Sequence, residues 1–263
     1  MPIADFEKTV LRLLAANRNP ESFVAGATVL LRDEKSHRWS QDIDLFHDTA
    51  ESLKAAADAD AAVLEKHRYQ VTWDNVQPTF RRALIARDGR MTKLEWVFDS
   101  AFRFFPVQPD AEMGYVLNFW DAATNKVLAL AGRGELRDYL DVLHLHRQHL
   151  SLGAVAWAAC GKDTGYTPQF VIEEAQRLAH YPVSLLANLK LREPVDLVEC
   201  KRQWLAAARA ARALFDQLPA EEIGCLYLDA AGKPVTPDPG SAEFPALRRH
   251  FGSVRGAWPV IRE

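Results

Sequence analysis

The sequence predicts an α+β fold: a small mixed β-sheet core with flanking helices over residues 1–115, then a mainly helical domain over 116–263 with an irregular C-terminal tail. Three observations carry this reading. Tyr69–Val76, Thr79–Arg87 and Met91–Asp99 are consecutive β-prone runs, and the Asp88-Gly89 pair between the last two is a hairpin turn signal. From about Asp121 to Leu218 apolar residues recur at helical spacing, with breaks at Gly132–Gly134, Gly161–Pro168, Pro182 and Pro194. Residues 229–263 hold five prolines and four glycines, which reads as irregular chain.

The remaining elements follow in order. Residues 4–16 place apolar side chains at helical spacing and form a helix packed on the sheet. A strand–turn–helix unit spans 22–31, with small residues at its centre, and the charged loop Arg32–Arg38 follows it. The stretch Arg38-Trp39-Ser40-Gln41-Asp42-Ile43-Asp44-Leu45-Phe46 is then a strand, and Ala50–Arg68 is an alanine-rich helix turning Leu53, Val63 and Leu64 inward. Proline-rich Phe105–Pro109 closes the sheet region.

Composition narrows the class. With 263 residues, 48% apolar and 25% charged, the chain is an ordinary globular protein large enough for real cores. A net charge of −3 gives no global attraction to nucleic acid, so RNA contact needs a local patch. Cys160, Cys200 and Cys225 are widely spaced, form no Cys-x-x-Cys unit and read as reduced thiols. No apolar run has the length of a membrane span, and the N-terminal segment carries acidic residues unlike a signal peptide, so the expected location is the cytoplasm.

The chemistry concentrates at Asp42 and Asp44. In a strand, residues i and i+2 share a face, so both carboxylates point the same way, roughly 6–7 Å apart, while Ile43 and Leu45 fill the opposite, buried face. Such a pair seats a hard divalent cation that takes its other oxygens from phosphate and water. An EF-hand is excluded, because Phe46 and His47 stand where a further oxygen ligand and a glycine would be needed. A sugar-nucleotide transferase's Asp-x-Asp usually follows a long nucleotide-binding domain, and here 41 residues precede Asp42. His144, His146 and His149 have no carboxylate or cysteine partner in sequence and read as a solvated helix face rather than a zinc site.

Gly26 with Ala27 and Thr28, then Ser40-x-Asp42-Ile43-Asp44-Leu45-Phe46, then Glu95 on a later strand, together resemble the nucleotidyltransferase superfamily. With Lys126 and Arg137-Asp138-x-x-Asp141 further on, the order resembles its AbiEii/AbiGii toxin branch over about residues 20–150. The resemblance implies a transfer of a nucleoside monophosphate from an NTP to an acceptor hydroxyl, with Mg²⁺ or Mn²⁺ as the metal. It also implies a toxin-like role, RNA ends such as the tRNA 3′ end as one acceptor class, and a cognate antitoxin as partner. Asp42, Asp44 and Glu95 become the metal carboxylates, with Asp99 as the fallback for Glu95. Lys126 becomes a phosphate-contacting cation at the start of its helix, and Gly26, Ala27, Thr28, Ser40, Lys126, Asp138 and Asp141 line the nucleotide.

One departure stands out: the family's glycine pair is reduced to Gly26, flanked by Ala25 and Ala27. Two other classes stay open at this stage, a small-molecule nucleotidyltransferase of the antibiotic-modifying kind and a catalytically inactive binding or regulatory protein of the same fold. An RNA acceptor calls for a basic rim, for which Arg81, Arg82, Arg87, Arg90 and Arg103 are the candidates, whereas a cationic drug calls for an acidic one.

Overall fold

The structure, a computed structural model, describes residues 3–32 and 36–259, so residues 33–35 of the charged loop and 260–263 of the tail lie outside it. The chain divides into two compact units, Met1–Ala101 with Pro106–Ala122, and Phe102–Phe105 with Ala123–Glu263.

In the first unit the elements are α1 (Asp5–Leu14), β1 (Ser22–Val24), α2 (Gly26–Leu30), β2 (Asp42–His47), α3 (Ala50–Lys66), β3 (Gln70–Val76), β4 (Phe80–Arg87) and β5 (Arg90–Phe98). After β6 (Phe102–Arg103), which counts with the second unit, come β7 (Gln108–Asp110) and β8 (Gly114–Val116). They build one mixed sheet in the order β3-β4-β5-β2-β1-β8-β7. β2 runs parallel to β5 and antiparallel to β1, and β1 runs parallel to β8.

Local signals account for most of these elements. α1 buries Phe6, Val10, Leu11 and Leu14 along one stripe. α3 opens with a capping box in which Thr49 and Ser52 satisfy each other's backbone N–H. Asp88 (φ 53°) and Gly89 (φ 72°) both take left-handed backbone, as a tight turn between right-twisted strands requires. The prolines do not end the sheet. Pro109 sits in β7, the edge strand, where a missing N–H costs no ladder bond to a further neighbour.

Alternation along β2 and β5 separates core from site. Ile43, Leu45, Leu94 and Trp96 are fully buried, and α1 and α3 pack on these strands. Burial of side chains this size stabilises the unit by about 1.5–3 kcal/mol each. Beneath them Asp60, with no exposed surface, accepts from Arg18 (2.6 Å to each oxygen), Asn17 (2.8 Å) and Trp96 Nε1 (2.8 Å). A buried carboxylate with this many donors is satisfied. It ties α3 to the sheet and fixes β5.

The second unit contains α4 (Phe119–Arg133, its first residues counting with the first unit), α5 (Leu136–Gln148), α6 (Leu152–Ala159), α7 (Pro168–Leu178) and α8 (Leu197–Phe215). β9 (Cys225–Leu228), β10 (Arg248–Phe251) and β11 (Ser253–Val254) follow. α6 is buried along its whole length, which is why it lacks a polar face. The tail is more ordered than its proline and glycine content implies: β10 pairs with β9, and β11 pairs with β6. The ordering is long-range. His250 stacks on Phe105 at 4.8 Å and its Nε2 bonds the Phe104 carbonyl, while a Cβ at Gly252 would lie 2.3 Å from the Phe102 ring.

Candidate active site

Asp42 and Asp44 lie on β2 on the face opposite Ile43 and Leu45, as their spacing predicts. β5 sets the next row. In the parallel register Asp42 faces Lys93 and Asp44 faces Glu95, so Asp42, Asp44 and Glu95 come from adjacent strands. β4 extends the row, because Glu95 faces Arg82 there, and Arg82 Nε donates to Glu95 Oε1 at 2.8 Å. Arg82 also stands 3.5 Å from Asp74, the residue at the register shift in β3, next to Asn75 that pairs with Arg82. Asp99, the fallback, follows the end of β5 and accepts from the Ser100 N–H.

The glycine turn meets this row directly. Gly26 has φ +62°, and a Cβ built on it would fall 1.8 Å from Asp44 Oδ2. No side chain fits there, and the backbone conformation itself favours glycine. Ala25 N donates to the Asp44 carbonyl at 2.9 Å. Ala25 is extended and Ala27 has no positive φ, so the residues flanking Gly26 take backbone that alanine adopts without strain. Thr28 and Ser40 are buried and brace β2. Ser40 Oγ donates to the Asp42 carbonyl at 3.1 Å, and Thr28 Oγ1 lies 3.4 Å from both.

Lys126 is not at a helix start. It lies in the middle of α4, which begins at Phe119 because the sequence from Phe119 to Asn125 continues the same helix. Its ammonium, buried with the side chain 9% exposed, bonds Asp138 Oδ1 at 2.7 Å and stands 3.1 Å from Asp141 Oδ2. Both carboxylates are fully buried on α5, three residues apart and so on one side of it. Burial pushes the Asp138 carboxyl up, but Lys126 and Arg133 outweigh it and hold it below the usual carboxylate range. Arg137 instead pairs with Glu135.

Sequence reasoning missed two cations. Arg133 Nε donates to Asp138 Oδ2 at 2.7 Å, across the turn at Gly134, a spacing of five that no single-helix rule pairs. Arg82 belongs to the expected rim, and its partnership with Glu95 depends on the strand register. The rim itself is largely neutralised: Arg81 pairs with Asp58, Arg87 stands over Tyr69 and beside Asp88, and Arg103 is buried.

Among the described residues, no three His, Cys, Asp or Glu side chains cluster tightly enough to hold a metal ion alone. The donor set still suits one. Two carboxylates on one strand face, with a side-chain-free turn against Asp44, leave room for phosphate oxygens to complete a hard cation's shell.

The chain matches the family model described as nucleotidyl transferase AbiEii toxin, type IV TA system, over residues 12–220. It belongs to the AbiEii nucleotidyltransferase toxin family. The family implies an NTP substrate and a cognate antitoxin. Two solved structures share the toxin's fold. One is MenT4, a nucleotidyltransferase toxin from Mycobacterium tuberculosis H37Rv, with TM-score 0.57 and 16% identity over 82% of this chain and 83% of that one. The other is JHP933 from Helicobacter pylori, with TM-score 0.51 and 17% identity over 81% of this chain and 92% of that one. Curated proteins include no match to it. Among the described residues no helix of the toxin is long and apolar enough to cross a membrane.

Proposed function

We propose that this toxin moves a nucleoside monophosphate from an NTP to an acceptor hydroxyl in a reaction that depends on Mg²⁺ or Mn²⁺, with an RNA end such as the tRNA 3′ end as acceptor. The observation that carries the reading is the Gly26–Asp44 contact: only a bare backbone fits against that carboxylate. Asp42 and Asp44 would hold the cation, with Glu95, or Asp99 in its place, as a third carboxylate. The cation supplies charge neutralisation for the triphosphate and lowers the pKa of the attacking hydroxyl. Thr28 and Ser40 keep β2 rigid so that both aspartates hold their direction. The backbone of Gly26, Ala27 and Thr28 lets phosphate oxygens approach closely.

Glu95 enters with its carboxylate oriented by the Arg82 Nε–H, which among the described residues leaves Oε2 without a protein donor. Lys126 would neutralise charge on the phosphates, Asp138 and Asp141 holding its ammonium in place until the nucleotide arrives. Attack of the acceptor oxygen on the α-phosphorus forms the new ester bond, breaks the α–β anhydride and releases pyrophosphate.

Incubating the protein with α-labelled NTPs, Mg²⁺ and total RNA tests the reading. Labelled RNA is expected, and its loss in both Asp42→Ala and Asp44→Ala with unchanged circular dichroism supports the assignment. Near-normal transfer by either variant would sink it.

A further inference from the structure

The second unit contains a cavity of about 720 Å³ that plays no part in the proposed transfer. It lies between α5, the C-terminal end of α7 with the chain that follows, and the first turns of α8. Its size falls in the range of sites for small organic ligands. Its floor is aromatic: Tyr139 and Trp204 are 3% and 2% exposed, and the Tyr139 ring centroid lies 5.1 Å from Tyr181 and 5.2 Å from Trp204.

Two polar atoms of that floor are buried without a hydrogen-bond partner among the described residues, Trp204 Nε1 and Tyr181 Oη. A native interior rarely leaves such groups unserved, because each forfeits its hydration for nothing. At the mouth Val183 is 71% exposed and Val198 80%, an apolar lip around Lys201, which makes no ion pair among the described residues.

Two of the free polar groups can act only as donors, and the third, the Tyr181 hydroxyl, can donate as well as accept. An indole N–H and an ammonium can only donate. Gln176, also in the wall, has its Oε1 against Arg212 Nη2, so its amide nitrogen is what remains. Among the described residues neither aspartate nor glutamate lines the cavity. An amine would meet Lys201 with no counter-charge, whereas an acceptor-rich anion would satisfy every free group.

We propose that this cavity is a binding site for a planar organic anion: its aromatic body packs on Tyr139, Tyr181 and Trp204, its oxygens accept from Trp204 Nε1, and its charge sits at Lys201. Such a ligand makes the helical unit a small-molecule sensor independent of the nucleotide. Because no catalytic candidate lines the cavity, this inference stands or falls apart from the transfer reaction.

Calorimetric titration of the full chain with three isosteric probes tests it: 2-naphthoate, 2-naphthylmethanol and 2-naphthylmethylamine. Naphthoate is expected to bind about tenfold more tightly than the alcohol, and the amine not at all. Lys201→Ala, at an exposed position that the fold does not need, should abolish the preference for the carboxylate. Trp204→Phe should weaken naphthoate several-fold while keeping the ring. Ala179→Trp, which fills the cavity without removing a partner, should block all binding. Equal binding of the acid and the amine, naphthoate affinity unchanged in both Lys201→Ala and Ala179→Trp, or flat titrations with all three probes at millimolar concentration would overturn the proposal. The last result would mean that water alone serves the buried donors.

Discussion

Gly26 and His47 show how far single residues constrain this molecule. At Gly26 the backbone conformation and the 1.8 Å approach to Asp44 Oδ2 act together, so Gly26→Ala must move β2 or swing the carboxylate aside. Left-handed backbone alone costs alanine about 1–2 kcal/mol. The expected outcome is a melting-temperature loss of several degrees with transfer reduced at least 100-fold, measured on the same preparation. Ala25→Gly and Ala27→Gly, at positions without positive φ, should change transfer little. His47 is fully buried beside Ser22, and burial first, then the nearby Arg18 charge, lowers its pKa from 6.5 to about 4. Its contribution is therefore complete above pH 6.5 and is lost as pH falls toward 4, where the unfolded chain binds a proton that the folded chain refuses. The shift corresponds to about 3 kcal/mol. Urea midpoints measured from pH 7 to pH 4 should fall in that window, and His47→Gln should flatten the slope. An unchanged slope would assign acid sensitivity to other groups.

Between elements the informative object is the Lys126 cluster joining α4 to α5. The sequence made Lys126 and Asp138 visible as candidates, but their mutual contact depended on the turn at Gly134 folding one helix back on the next. A helix start is a reasonable placement for Lys126 in Asn125-Lys126-Val127. It failed because the helix begins seven residues earlier and buries the side chain. The packing makes Lys126 structural as well as a candidate phosphate ligand. Removing it leaves two fully exposure-free carboxylates with one buried cation fewer. Breaking a buried pair in this way costs about 3–5 kcal/mol. Lys126→Ala should therefore lose stability and transfer together. Adding Asp141→Asn should restore part of the stability and none of the transfer if the ammonium also serves phosphate. Recovery of both would confine Lys126 to the scaffold.

For the whole molecule, what the sequence revealed followed the range of the interactions. Strand alternation and the Asp88-Gly89 turn are local, and both are readable in the sequence. β8 pairs with β1 across Val24 and Val116, and β11 pairs with β6 across Ser253 and Arg103, so both depend on partners far away in sequence that no periodicity announces. The site divides the same way: Asp42 and Asp44 came from a two-residue rule, while Arg82 on Glu95 required the sheet register. A ligand test reaches the same division from the other side. On the proposed reading a cation would offset the like charge of the two aspartates, and its shell would be complete only once phosphate oxygens join. Each ligand therefore raises the other's affinity, a reciprocal coupling. Mg²⁺ with an NTP should raise the melting temperature by several degrees, since a ligand at 100 times its Kd stabilises by about 2.7 kcal/mol, while either alone should shift it by about a degree or less. Asp42→Ala should abolish the joint effect and leave the separate ones as they were. Additive shifts, or a joint shift that survives in Asp42→Ala, would place nucleotide binding away from β2.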